Sequence, residues 1–178
     1  MDKIDYLVNN AGVLLPVSST IRYTPDKHEL HYGVNFLGHY LLVHYLWPKL
    51  IKSPHFRIVN TSSITHSKIE GFFQDVTFDI DNMNFEDVKY TRSLAYSRSK
   101  LYVNMATHAY AEKAGSQGQA VSVHPGVART PLVDNSLNWF NKMTYFLFYY
   151  FAKNSEQASH TTMYALLSDK LINGGYYA

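Results

Sequence analysis

Ile4-Asp-Tyr-Leu-Val-Asn-Asn-Ala-Gly12 is the stretch from which the fold can be read. Ile4 to Val8 is a short apolar run, ended by a turn of small and amide residues, and reads as a buried strand. Thr24-Pro25-Asp26 reads as a helix start, with a capping hydroxyl, a proline at the first position and an acid in the first turn. Leu30, Val34, Leu37, Leu41 and Tyr45 then keep helical spacing to about Leu50. A second strand is expected over Phe56 to Asn60, ending at Thr61-Ser62-Ser63, and a third over Ala120 to Val123, closed by His124-Pro125-Gly126. Between them lie a long polar segment, Ser67 to Thr91, and a helix from about Ser93 to Lys113 that stops near Gly115. Leu137 to Phe151 reads as an aromatic helix. Ser155 caps another helix through about Leu167, and Gly174-Gly175-Tyr176-Tyr177-Ala178 opens a last strand. Strands alternating with helices predict one α/β domain over residues 1–178, a parallel sheet with helices on both faces. Ligands of such sheets sit beyond the carboxyl ends of the strands, where Gly12, Ser63 and Gly126 would gather.

The chemistry concentrates in Tyr96-Ser-Arg-Ser-Lys100. A phenol and an ammonium four residues apart on a helix share one face. A free tyrosine, with a pKa near ~10, is a poor acid–base group at neutral pH. A cation beside it favours the phenolate and brings it toward the working range.

Composition narrows the function classes. Of 178 residues 46% are hydrophobic, enough for a real core, and the net charge is only +2, with scattered Lys and Arg. That pattern is not a nucleic-acid footprint. The chain has no cysteine, which excludes disulfides and thiolate chemistry. Its nine histidines form no metal-like cluster, so His39, His66 and His124 read as packing or solvent-facing residues and no metal is expected. No secretory signal and no run of ~20 apolar residues is visible. Trp139 to Ala152 comes nearest. It reads as a buried or substrate-covering helix, with association at a membrane surface as the alternative.

Five motifs, in order and at suitable spacing, resemble the short-chain dehydrogenase/reductase family, and within it the retinol dehydrogenase-like branch. They are Asn9-Asn-Ala-Gly12, Val34-Asn-Phe-Leu-Gly-His39, Arg57-Ile-Val-Asn-Thr-Ser-Ser63, Tyr96-Ser-Arg-Ser-Lys100 and Val123-His-Pro-Gly126. The resemblance implies a partial Rossmann-like, doubly wound fold and an NAD- or NADP-dependent oxidoreductase that interconverts an alcohol and a carbonyl by hydride transfer. The implied substrate is small and lipophilic, of retinoid, steroid or fatty aldehyde type.

It also implies roles. Tyr96 would be the acid–base residue. Ser63 would bind the reacting oxygen of the substrate, and Lys100 would favour the phenolate and bond the nicotinamide ribose. Asn35 would hold a water beside Lys100. Ser62 is the alternative to Ser63, which lies 33 positions before Tyr96 and aligns with the second serine of the motif. Asn10, Ala11 and Gly12 would line the adenosine side of the cofactor, and Asn9 would tie the sheet by side-chain bonds to backbone. Pro125, Gly126 and Val127 would border the nicotinamide. Thr130 would bond its carboxamide or a phosphate, although Thr130-Pro131 also reads as a helix start.

One departure stands out: no Gly-rich phosphate-binding turn precedes Asn9, where a complete member carries roughly two further strand–helix units. The other function class is therefore a non-catalytic partner, pairing as a homodimer or with a longer relative through the helices that carry Asn35 and Tyr96. Leu41, Leu42, Leu101 and Met105 permit apolar outer faces there. The resemblance points to a cytoplasmic or endoplasmic-reticulum-associated protein.

Overall fold

The computed structural model describes residues 2–16, 20–67, 76–86, 89–128 and 152–178. Thr130, the aromatic segment 137–151 and part of the long 67–91 segment lie outside them. Four parallel strands form one sheet in the order β1 (Tyr6–Asn9), β2 (Phe56–Thr61), β3 (Gly118–Val123) and β4 (Tyr176–Tyr177). Registers such as Leu7 opposite Ile58 and Val59 opposite Val121 hold the first three together.

Helix α1 (Gly38–Leu50) and helix α2 (Arg92–Ala114) cover one face. Val43, Leu50, Tyr110, Ala111 and Ala114 pack there on Phe56, Ile58 and Ala120. Helix α3 (Ser155–Leu167) covers the other, where Ala165 joins Leu171 on Val59, Val121 and Val123. Alternate residues of β2 and β3 thus feed two cores, as the pleat requires. Both faces of the central strands are buried, hence their continuous apolar runs.

The expected strands and helices are present, with local corrections. β1 is not a buried strand. Among the described residues it pairs only with β2, and Tyr6 and Val8, on one face, are 56% and 39% exposed. Thr24-Pro25-Asp26 is a tight turn rather than a helix start. Lys27 takes φ 64°, the Thr24 carbonyl accepts from the Lys27 N–H at 2.9 Å, and the Thr24 N–H donates to the His28 carbonyl at 2.8 Å. Proline at the second position of a turn explains the shared signature. The helix begins instead at Leu30, where the Glu29 carboxylate accepts from the Tyr32 N–H at 2.8 Å.

Its first turns, Tyr32–Leu37, are π-helical. The extra residue rotates the following face by ~100°. Leu41 and Tyr45 therefore point outward, and Val43 and Leu50 are buried instead. Asn154, not Ser155, caps α3, in a reciprocal capping box with Gln157. Among the described residues, no helix is long and apolar enough to cross a membrane.

Candidate active site

The carboxyl ends of β1, β2 and β3 open onto one edge, where α2 and the π-turn deliver their polar side chains. Asn35 is fully buried. Its Oδ1 accepts from the Val13 N–H at 2.7 Å, and its Nδ2 donates to the Val13 carbonyl and to Ser99 Oγ, both at 3.1 Å. Ser99 Oγ donates in turn to the Tyr96 carbonyl at 2.7 Å. One amide thereby ties the loop after β1 to the helix that carries Tyr96 and Lys100. His39 Nδ1 meets the Asn35 carbonyl at 3.1 Å. Burial, together with the positive charge of Lys100, holds the His39 imidazole below its ordinary pKa, against the effect of that bond.

Lys100 Nζ donates to the Thr61 carbonyl at 2.9 Å, at the end of β2, and lies 5.7 Å from the Tyr96 ring centroid. Gly12 leaves this group open: a Cβ there would stand 3.7 Å from Nζ and 3.3 Å from Asn35 Oδ1. The gap is a cradle that a side chain would narrow. Ser62 and Ser63 part company. Ser62 Oγ donates to the Lys100 carbonyl at 3.0 Å inside the core. Ser63 caps the short turn Ile64–His66, accepting from the Thr65 N–H at 3.3 Å, and its hydroxyl faces the Tyr96 phenol.

The electrostatics differ from the expectation for Tyr96. Burial pushes its phenol above the ordinary range, and the Ser63 hydroxyl and the Arg92 guanidinium oppose the rise only in part. Lys100 does not depress it, because its ammonium is turned to Thr61 and is itself pulled down to about 8 by burial.

That shift has a stability consequence. The unfolded lysine titrates near 10.5, so between about pH 8 and 10.5 the folded chain binds fewer protons and this group's contribution to stability rises with pH. Below that window the buried charge costs about 3 kcal/mol. Lys100→Met is expected to be more stable than the parent at pH 7, with the gap closing toward pH 10. Urea unfolding at both pH values measures this; an equal gap at both would contradict it. Above pH ~10 the sign reverses, because Tyr96 keeps a proton that the unfolded phenol loses.

After β1, Asn10 Oδ1 accepts from Thr61 Oγ1 at 2.9 Å, and Asn10, Ala11 and Gly12 are exposed. Asn9 ties the sheet through a side chain rather than through backbone. Its Nδ2 donates to Asn60 Oδ1 at 2.7 Å, and Asn60 Nδ2 donates to Thr107 Oγ1 at 2.9 Å. The Asn9–Asn60 bond fixes β1 against β2, although Asn9 Oδ1 is buried without a hydrogen-bond partner among the described residues. Pro125 and Gly126 are partly buried after β3, and Val127 is exposed.

Sequence reasoning missed the support behind Tyr96. Glu29 and His31 are both fully buried. His31 Nδ1 meets Glu29 Oε1 at 2.8 Å, His31 Nε2 accepts from the Leu15 N–H at 3.2 Å, and the ring packs edge-on to Tyr96, centroids 6.0 Å apart. Among the described residues, no group of three or more His, Asp or Glu could hold a metal.

A family profile described as short chain dehydrogenase matches residues 1–73. Human retinol dehydrogenase 11 is 36% identical over 97% of this chain, and human retinol dehydrogenase 13 is 33% identical over 99%. The chain belongs to the short-chain dehydrogenase/reductase family. It spans about half the length of the curated relatives it matches, 51% and 52% for these two. Solved structures with the same fold include a short-chain dehydrogenase/reductase from Caenorhabditis elegans with cofactor, at TM-score 0.69 and 22% identity, covering 99% of this chain and 64% of that one. Another is the 3-ketoacyl-(acyl-carrier-protein) reductase of Brucella melitensis complexed with NADH, at TM-score 0.67 and 19% identity, covering 98% and 65%. The fold brings Asn35, Ser63, Tyr96 and Lys100 to one strand edge.

Proposed function

We propose that this chain is the catalytic part of an NAD(P)-dependent oxidoreductase that interconverts an alcohol and a carbonyl on a small lipophilic substrate. The observation that carries this reading is the meeting of Asn35, Ser63, Tyr96 and Lys100, from three separate segments, around the gap left by Gly12. The Tyr96 phenol, kept protonated by burial, is in the form that gives a proton to a carbonyl oxygen. The Ser63 hydroxyl, which both donates and accepts, holds that oxygen beside it. Lys100 lies beside the phenol ring with its ammonium on the Thr61 carbonyl, and would bond the nicotinamide ribose. Asn35 fixes the helix and loop that position the lysine.

The residues present fit the nicotinamide ribose end of a dinucleotide. Gly12 gives access to Lys100 Nζ; Asn10 and Ala11 would extend that wall toward the adenosine side, and Pro125, Gly126 and Val127 would border the nicotinamide. A bound dinucleotide supplies or accepts the hydride. Support for a nucleotide comes from relatives crystallised with NADH or NADPH, and either one satisfies this reading.

A second reading has an observation of its own. Leu41, Leu42, Tyr45 and Met105 are exposed on the outer faces of α1 and α2. An apolar surface there suits a non-catalytic member that pairs with another copy or a longer relative. One experiment separates the two. Purified chain is titrated with NADH and with NADPH by fluorescence or calorimetry, and its mass is followed by sedimentation. Saturable nucleotide binding is expected. Binding of neither nucleotide, together with self-association or capture of a full-length relative, would replace the enzymatic reading with the second.

A further inference from the structure

Around the carboxyl ends of β3 and β4, three segments carry basic side chains, His66, His124 and Lys153. His66 sends Nδ1 to the Ser63 carbonyl at 2.5 Å and packs edge-on against Tyr176, ring centroids 4.8 Å apart. His124 directly follows β3. Its backbone N–H donates to the Tyr177 carbonyl at 2.7 Å, and its Nδ1 is buried without a hydrogen-bond partner. Lys153 donates its backbone N–H to the Val127 carbonyl at 3.0 Å and lays its side chain across Gly126. A Cβ on Gly126 would stand 3.0 Å from Nζ and 3.1 Å from Cδ and Cε, and φ there is +84°, so glycine both permits the turn and lets the lysine lie close.

The three come from three separate segments, the turn after β2, the end of β3 and the entry to α3. Among the described residues, none of them forms a salt bridge with a carboxylate. Tyr176 adds no negative charge, because burial pushes its phenol up to about 12. Burial first, and then the charges of Lys153 and His66, hold the His124 imidazole below its ordinary pKa. Among the described residues, this leaves a buried ring nitrogen without a hydrogen-bond partner and three bases without a paired carboxylate.

We propose that His66, His124 and Lys153 form an anion subsite adjoining Ser63, built to take a carboxylate or phosphate group. The Lys153 ammonium offers three donors and a full charge, and the imidazoles offer ring N–H groups. His66, bonded to the Ser63 carbonyl, would bring an oxyanion there next to the Ser63 backbone. That chemistry fits an acid group on the reacting substrate or a phosphate of its nucleotide. The inference goes beyond the oxidoreductase reading, and its test needs no turnover.

The imidazole resonances of the whole chain are followed by NMR at pH 7 during titration with inorganic phosphate, acetoacetate and nicotinamide mononucleotide. Saturable shifts at His66 and His124 are expected, with the His124 pKa rising in the bound form. Stronger binding of acetoacetate assigns the subsite to the substrate. Stronger binding of the mononucleotide assigns it to the cofactor. Lys153→Met weakens binding at least ~10-fold, Lys153→Arg retains it, and Lys113→Met, at the far end of α2, leaves it unchanged. No saturable shift with any of the three ligands would overturn the proposal. So would equal weakening by Lys113→Met, which would mean that only overall charge is being read.

Discussion

Tyr96→Phe is expected to lower kcat for carbonyl reduction by ~10²–10⁴-fold, the usual worth of a positioned general acid, and to leave nucleotide affinity essentially unchanged. The substitution removes one oxygen. The ring remains to pack against His31, and the backbone carbonyl that Ser99 bonds remains in place. Folding stability should therefore hold while chemistry fails, a split that a merely structural tyrosine would not show. Ser63→Ala should reduce turnover in the same direction, because its hydroxyl faces the same phenol. Steady-state rates with NADH or NADPH, beside urea unfolding of the same samples, make the measurement. Undiminished turnover in Tyr96→Phe would remove Tyr96 from the role of proton donor.

Glu29→Ala carries the largest expected loss of stability, about 3–5 kcal/mol. The carboxylate is fully buried and serves two donors, His31 Nδ1 and the Tyr32 N–H. Removing it strands both in a place water does not reach, and the ring that backs Tyr96 loses its anchor. Glu29→Gln keeps an acceptor at the same reach and should cost well under half as much. Urea denaturation of the three proteins measures the order. A loss below ~1 kcal/mol for the alanine variant would show that water or rearrangement satisfies the two donors.

Glu29 and His31 also show where reading the sequence reaches its limit. Nothing in Glu-Leu-His at residues 29–31 marks two of the most buried polar side chains in the protein. Their burial depends on Leu15 and Tyr96 arriving from distant segments. The strands were legible because β2 and β3 are covered on both faces and so read as unbroken apolar runs. Helix α2 was placed by its ends and its motif rather than by periodicity. Its buried face carries Ser97, Arg98, Ser99, Lys100, Asn104 and Thr107, so no apolar stripe marks it. The π-turn was invisible for a different reason. A single extra residue leaves composition untouched, yet it turned Leu41 and Tyr45 outward. Asn35, Ser63, Tyr96 and Lys100 were named from the family resemblance, and the fold brings them to one strand edge. The direction of the Tyr96 pKa could not be read that way, because burial outweighs a lysine whose ammonium is turned to Thr61.

The open side of β1 has a thermodynamic consequence. Tyr6 and Val8 stand exposed along it, and Asn10, Ala11 and Gly12 continue the same strand into the wall beside Lys100. Stability and site geometry are therefore linked quantities at this edge. A strand that pairs with β1 at 100 times its dissociation constant would stabilise the folded state by about 2.7 kcal/mol. The same event would raise a wall along the approach to Lys100. By reciprocity, any ligand that prefers the walled site must tighten the hold of that strand by the same factor.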